Sequence, residues 1–235
     1  MIETFIDLGR GNLFRFSIAI AVFGLLRLFG LSIWGFLKAR RRAGDPRVDF
    51  GAVISRTFTT LNPLHYFFGT RAAYSINSTV FHVGLILVPI FFAGHLRLWR
   101  EGLGFAWPAL PAGVSDALTL ITVATGVLLL IGRAWSPLSR QISRPMDWVL
   151  PPLIAFEFLT GYLLAHPASN PFELSTMMLL HVYTGDALLL LTPFTKVAHC
   201  VLLPFSQLVV EMSWKLIPGA GREITKTLGK EGQPI

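Results

Sequence analysis

Five long apolar runs, separated by polar stretches carrying Gly, Pro and basic residues, divide this 235-residue chain. They cover about residues 13–37, 76–99, 114–131, 148–165 and 174–203. A helix of about 17–25 apolar residues crosses a hydrocarbon core about 30 Å thick, so each run predicts one transmembrane helix. The expected fold is therefore all-α, a single polytopic membrane domain of five helices. Residues 43–74 contain Gly44, Pro46, Pro63 and Gly69 and read as a loop, with a short interfacial segment at Leu64–Gly69. Pro89 predicts a kink in the second run, which neighbouring helices in a membrane bundle can tolerate. Pro151 and Pro152 fall in the first turn of the fourth run, where missing amide donors cost little. Residues 204–235 form a polar tail whose amphipathic piece, Gln207–Ile217, suits a membrane surface or a partner. No internal repeat is evident.

Composition agrees with the pattern: 53% of residues are hydrophobic, 14% are charged and the mean hydropathy is +0.59. The net charge of +7 resides mainly in the connections, with no basic stripe interleaved with aromatics, so nucleic acid is not the expected partner. Fourteen Lys and Arg fall in residues 38–75, 132–147 and the tail, against four near the N-terminus and after the second run. The positive-inside rule then places the N-terminus outside and the C-terminus in the cytoplasm, in a multi-pass protein of the inner (cytoplasmic) membrane. Glu3 and Asp7 precede the first run, which lacks a cleavage pattern and does not read as a removable signal. The single cysteine, Cys200, excludes a disulfide framework, a Cys-rich iron–sulfur site and a covalently attached c-type haem in this sequence. It is expected to be a small buried residue.

Four of the six histidines, His82, His95, His181 and His199, lie inside predicted spans, where ionisable side chains are costly and point to function. On an unbroken helix His181 and His199 are five turns apart, about 27 Å, and face one way. With the second and fifth spans antiparallel, His95 and His181 make an outer pair and His82 and His199 an inner pair. Two stacked bis-imidazole haems, held non-covalently as haem b, need this arrangement. Zinc or di-iron sites need ligands that converge within a few ångströms, and these pairs are half a membrane apart. The thirteen residues from His82 to His95 would turn the two rings nearly opposite ways on a straight helix. His166, at the outer end of the fourth span, is the substitute ligand, and His65, in the first loop, is a poor one. Arg27, Glu157 and Asp186 are each mid-span, so Arg27 is expected to pair with one of the carboxylates.

The segment HVYTGDALLLLTPFTKVAH, residues 181–199, with Pro193-Phe194-Thr195-Lys196 before its second histidine, resembles the last helix of the respiratory nitrate reductase gamma subunit. That subunit is a five-span dihaem cytochrome b. FHVGLILVPIFFAGH, residues 81–95, is similar to the other ligand helix of that family, including Gly94 before His95. The His82–His95 interval is longer than in that subunit, which points to a branch of the superfamily. The membrane subunits of sulfite-reductase-associated and heterodisulfide-reductase-like complexes also look similar.

The resemblance implies two haem b groups and a quinol, menaquinol or ubiquinol, oxidised beside the outer haem. Electrons would pass inward to a cytoplasmic iron–sulfur subunit and a catalytic subunit. Asp186 and Glu157 would accept quinol protons, and Arg97, Arg100 and Lys196 would contact haem propionates. The competing class is a non-redox transporter or scaffold that uses the histidines structurally, although neither a repeat nor a broken Gly-rich helix pair supports a transporter.

Overall fold

The computed structural model describes residues 1–235, apart from the side chain of Leu103. It is helical with no strand among the described residues, and six helical stretches are long and apolar enough to cross a membrane. These are Ile2–Ala43, Ala72–Phe91, Ala112–Trp135, Pro145–Ala165, Leu174–Phe194 and Lys196–Leu216. The chain divides into two compact units, one of Met1–Ala21 and Phe67–Leu191, the other of Val22–Tyr66 and Thr192–Ile235.

The first unit holds α1 (Ile2–Leu8), the start of α2 (Phe14–Ala43), α4 (Ala72–Phe91), α5 (Ala93–Leu103), α6 (Ala112–Trp135), α7 (Pro137–Ile142), α8 (Pro145–Ala165) and α9 (Leu174–Leu191). A π-helical turn, Gly9–Leu13, joins α1 to α2, so the first helical stretch begins well before the apolar run does. Contacts run in a series, with α4 on α6, α6 on α8, α8 on α9 and α9 on α1. Between apolar helices in lipid, association rests on close packing of small residues and on internal hydrogen bonding. The buried stripe of α6 fits that rule: Ser115, Thr119, Thr122, Thr125 and Gly126 recur at helical spacing. The hydroxyls of Thr119, Thr122 and Thr125 donate to the carbonyls of Ser115, Leu118 and Ile121, at 2.7, 2.6 and 2.7 Å. Gly84 of α4 lies directly against Thr122, and Asn77 Nδ2 donates to the Thr125 carbonyl at 3.1 Å. Polar contacts close both ends of the α6–α8 contact, an Arg133–Asp147 ion pair at 3.4 Å and His166 Nε2 with Asp116 Oδ2 at 3.2 Å.

The proline in the first turn of α8 is Pro145, and Asp147 caps that end by accepting from the Arg144 amide at 2.9 Å. Pro151 and Pro152 instead lie inside the helix, contrary to the sequence expectation, where they leave the carbonyls of Asp147 and Trp148 without their usual donors.

The second unit holds the rest of α2 with α3 (Phe50–Leu61), α10 (His199–Met212) and α11 (Ala220–Thr227). Helix α3 occupies the stretch expected to be a loop. Asp49 caps it, accepting from the Ala52 amide at 3.0 Å, and it packs on α10 with Val53 and Thr57 buried. Phe29 of α2 meets Phe205 of α10 edge to face, with centroids 5.2 Å apart. The tail is bound to the first connection. Asp49 and Arg47 exchange backbone hydrogen bonds with Ile235 at 3.1 and 3.0 Å, and Arg47 bridges Asp45 at 2.7 Å and Thr225 at 3.1 Å. The Arg47 guanidinium, through that side-chain hydrogen bond, holds the Asp45 carboxyl down at about 2.

The last apolar run is not one helix. After α9 come a 3-10 turn at Thr192–Phe194, an extended Thr195 and a second 3-10 turn at Lys196–Ala198 before α10 begins. Pro193 removes a backbone donor, and Thr195 caps the new start by accepting from the Val197 amide at 3.4 Å. The five-turn spacing of His181 and His199 assumed an unbroken helix and does not hold.

Candidate metal-ligating histidine pair

The second apolar run is also two helices, and the break is not at Pro89. Helix α4 continues through Pro89 to Phe91; Phe92 is extended (φ −68°, ψ 132°), and α5 starts at Ala93. The break frees three carbonyls, and each finds a donor. That of Pro89 is 3.1 Å from His95 Nδ1, that of Ile90 accepts from Trp107 Nε1 at 3.0 Å, and that of Phe91 accepts from the Leu110 amide at 3.0 Å. A buried carbonyl left unpaired in a membrane costs several kcal/mol, so the loop after α5 is what makes the break tolerable. Gly94 leaves room here: a Cβ on it would come 2.7 Å from Cε1 of Phe92 and displace that ring, which also packs edge to face on His95. Because His95 belongs to α5, the angular offset from His82 expected on a straight helix does not apply.

His95 meets His181 of α9. Their ring centroids are 6.1 Å apart and the planes lie 7° from parallel. Offset parallel rings in ordinary contact have centroids about 4.5–7 Å apart, so the separation also suits a packed ring pair. Two imidazoles sharing one metal ion have centres about 6 Å apart, from metal–nitrogen bonds of about 2 Å and about 1 Å from nitrogen to ring centre on each side. The separation is of that size, so His95 and His181 are the two residues that would share such an ion.

The hydrogen bonds fit as well. A ligating histidine donates its other ring nitrogen to a carbonyl or carboxylate, which fixes the tautomer. His82 Nδ1 lies 2.7 Å from the Ser78 carbonyl, His95 Nδ1 3.1 Å from that of Pro89, and His199 Nδ1 2.6 Å from that of Lys196. Carbonyls only accept, so each of these nitrogens carries the proton in the neutral ring, and the Nε2 lone pair is the one a metal could use. His181 Nδ1 has three oxygens on α8: Thr160 Oγ1 at 3.0 Å, the Glu157 carbonyl at 3.2 Å and Glu157 Oε1 at 3.2 Å. The Thr160 hydroxyl donates to the Glu157 carbonyl at 2.9 Å, which turns its lone pairs toward the imidazole. His166 differs, because its Nε2 is held by Asp116 at 3.2 Å while Nδ1 faces the Tyr162 carbonyl at 2.9 Å. Both nitrogens are engaged, so His166 is not arranged as the substitute ligand.

The structure thus brings together His95, His181 and Glu157. His82 lies on α4 in the same unit, whereas Lys196 and His199 belong to the other unit. Asp186 is buried, 3% exposed, with Oδ2 unpartnered, as is Glu157 Oε2. Arg97 and Arg100 are exposed on α5 and form no ion pair among the described residues. Arg27 is exposed and belongs to the other unit. Cys200, in the first turn of α10, is exposed, not buried as expected. Thr160 and Gly161 escaped the sequence reading. Their only signal was a position three and four residues after Glu157, on the same helical face.

Comparison with known proteins adds one relative. A protein of Nitratidesulfovibrio vulgaris (strain Hildenborough) is 34% identical over 140 residues, which cover 60% of this chain and 61% of the relative. The chain thus spans about three-fifths of the length of the curated relative it matches. No family model and no solved structure matches.

Proposed function

We propose that this protein is the dihaem cytochrome b subunit of a respiratory membrane complex. It would exchange electrons between the quinone pool and a cytoplasmic iron–sulfur partner, most simply in the direction of quinol oxidation. The observation that carries this reading is the facing pair, His95 and His181, with ring centres 6.1 Å apart and each Nδ1 committed to an oxygen. Haem, when bound, supplies a one-electron couple. The chain's own contribution is to present imidazole nitrogens from separate helices and to fix their tautomers. His82 and His199 carry the same Nδ1-to-carbonyl signature, each within its own unit, and remain the candidate ligands for a second haem. Glu157 and Asp186, with buried unpartnered oxygens, remain the candidates for taking quinol protons. Arg97, Arg100 and Lys196 remain candidates for propionates.

Five crossings, with the N-terminus outside, belong to the same proposal. The bond from Arg47 to Thr225 and the pairing of Ile235 with Arg47 and Asp49 join the first connection to the tail, which supports a topology with both on one side of the membrane. An even number of crossings must separate them. Counting α4, α6, α8 and the whole of residues 174–216 as four crossings satisfies that condition, and counting the last segment as two does not. The positive-inside count then makes that side cytoplasmic.

The test is optical. Membranes containing the protein should show a reduced-minus-oxidised b-type spectrum that quinol can elicit. A folded, colourless protein would refute the proposal in favour of a transporter or scaffold.

A further inference from the structure

We infer that Glu157 and Thr160 are positioning residues for His181, and that through it they set the reduction potential of one of the two iron centres separately from the other. The inference deepens the proposed function and rests on it.

The four candidate ligands are not held alike. His82, His95 and His199 take their Nδ1 acceptors from carbonyls four, six and three residues earlier in the same stretch of chain. His181 takes all three of its acceptors from another helix, α8, and one of them is a carboxyl oxygen. Its ring can reach them because the α8–α9 contact is cut away on both sides. A Cβ at Gly161 would come 3.0 Å from His181 Cε1, and one at Gly185 would come 2.8 Å from Glu157 Oε1. Thr160 is 2% exposed, and its hydroxyl is locked onto the Glu157 carbonyl, so the acceptor it offers does not rotate away.

A stronger acceptor at Nδ1 makes the imidazole a stronger donor at Nε2, which favours the oxidised state of a bound iron. The centre served by His181 should therefore be the one whose potential responds to α8. Because Glu157 and Thr160 act through their contacts with His181, the effect should be confined to that centre.

The experiment is a redox titration of the whole protein in membranes, followed optically, for wild type, Glu157→Gln, Glu157→Leu and Thr160→Val, with haem content measured in parallel. Glu157→Leu should raise one midpoint by the equivalent of about tenfold in the reduction equilibrium, about 59 mV for one electron, and leave the second in place. Thr160→Val should move the same midpoint in the same direction by less, and Glu157→Gln, which keeps an oxygen toward Nδ1, should fall between wild type and Glu157→Leu. Two unmoved midpoints at normal haem content would overturn the inference and leave the haem reading intact. An equal shift of both centres would overturn it too, by showing a general loosening. A wild-type protein without haem would overturn the proposed function itself. If Glu157→Leu fails to fold, Thr160→Val and Glu157→Gln decide the matter alone.

Discussion

Replacing Gly161 by Ala tests the packing on which the His181 arrangement depends. The added Cβ would lie 3.0 Å from His181 Cε1 and 3.6 Å from both ring nitrogens. Carbon atoms at rest are about 3.5–4 Å apart, so either the ring or helix α8 must yield by about 0.5 Å or more. Moving the ring that far from α8 stretches the 3.0 Å contact with Thr160 Oγ1 beyond about 3.5 Å, outside hydrogen-bonding range. Overpacking of this kind costs about 1–3 kcal/mol, and a lost hydrogen bond about 1 kcal/mol. Opposing this, Ala is the better helix former by about 0.8–1 kcal/mol. The net expectation is a destabilisation of about 1–3 kcal/mol. Gly30 of α2 supplies the control, because nothing lies within 4 Å of a Cβ built there. Gly30→Ala should be neutral or stabilising by up to about 1 kcal/mol. Thermal unfolding in detergent, followed by circular dichroism, separates the two. Equal midpoints for Gly161→Ala and Gly30→Ala would refute the placement of His181 against α8.

Other predictions concern the frame around the site. Gly84→Ala should destabilise the α4–α6 contact by about 1–3 kcal/mol in the same assay, because its Cβ collides with Thr122 Oγ1 and lies 3.0 Å from the Leu118 carbonyl; adding Thr122→Ala should recover part of the loss. The Asp45 carboxyl, held at about 2 chiefly by the Arg47 hydrogen bond, contributes stability that is fully present above about pH 4 and is lost as pH falls toward 2. Hydrogen exchange at the Ile235 amide should accelerate across that window in wild type and show no such step in Asp45→Asn. His166→Ala should leave the haem content unchanged while lowering stability through loss of the Asp116 pair, as measured by absorbance and thermal unfolding.

The sequence located the long helices within a few residues at most ends, because a run of apolar residues long enough to span a bilayer has few other stable forms. What it did not locate were the breaks. The proline at position 89 draws the eye, yet its missing amide is a local loss. The break lies at Phe92, where the later residues Trp107 and Leu110 supply donors, and no periodicity reports a donor that arrives from a loop. At Thr192–Ala198 the signal was present in Pro193 and the capping Thr195, but uniform hydropathy concealed it. Helix α3 was concealed for the opposite reason: it buries only Val53 and Thr57, too narrow a stripe to stand out between Pro46 and Pro63. At the site, the histidines were legible because ionisable groups in apolar runs are rare. The link from His181 to Glu157 and Thr160 was not, since it joins separate helices through packing that Gly161 and Gly185 permit.

The central claim, that this chain holds two haem b groups through paired histidines, is tested most directly by haem stoichiometry in the His95→Ala and His181→Ala variants. The purified wild type should carry two haems per chain, each variant should carry one, and the double variant should also carry one, because both substitutions remove the same centre. A colourless folded wild type, or a double variant that loses both haems where each single variant loses one, would contradict the account.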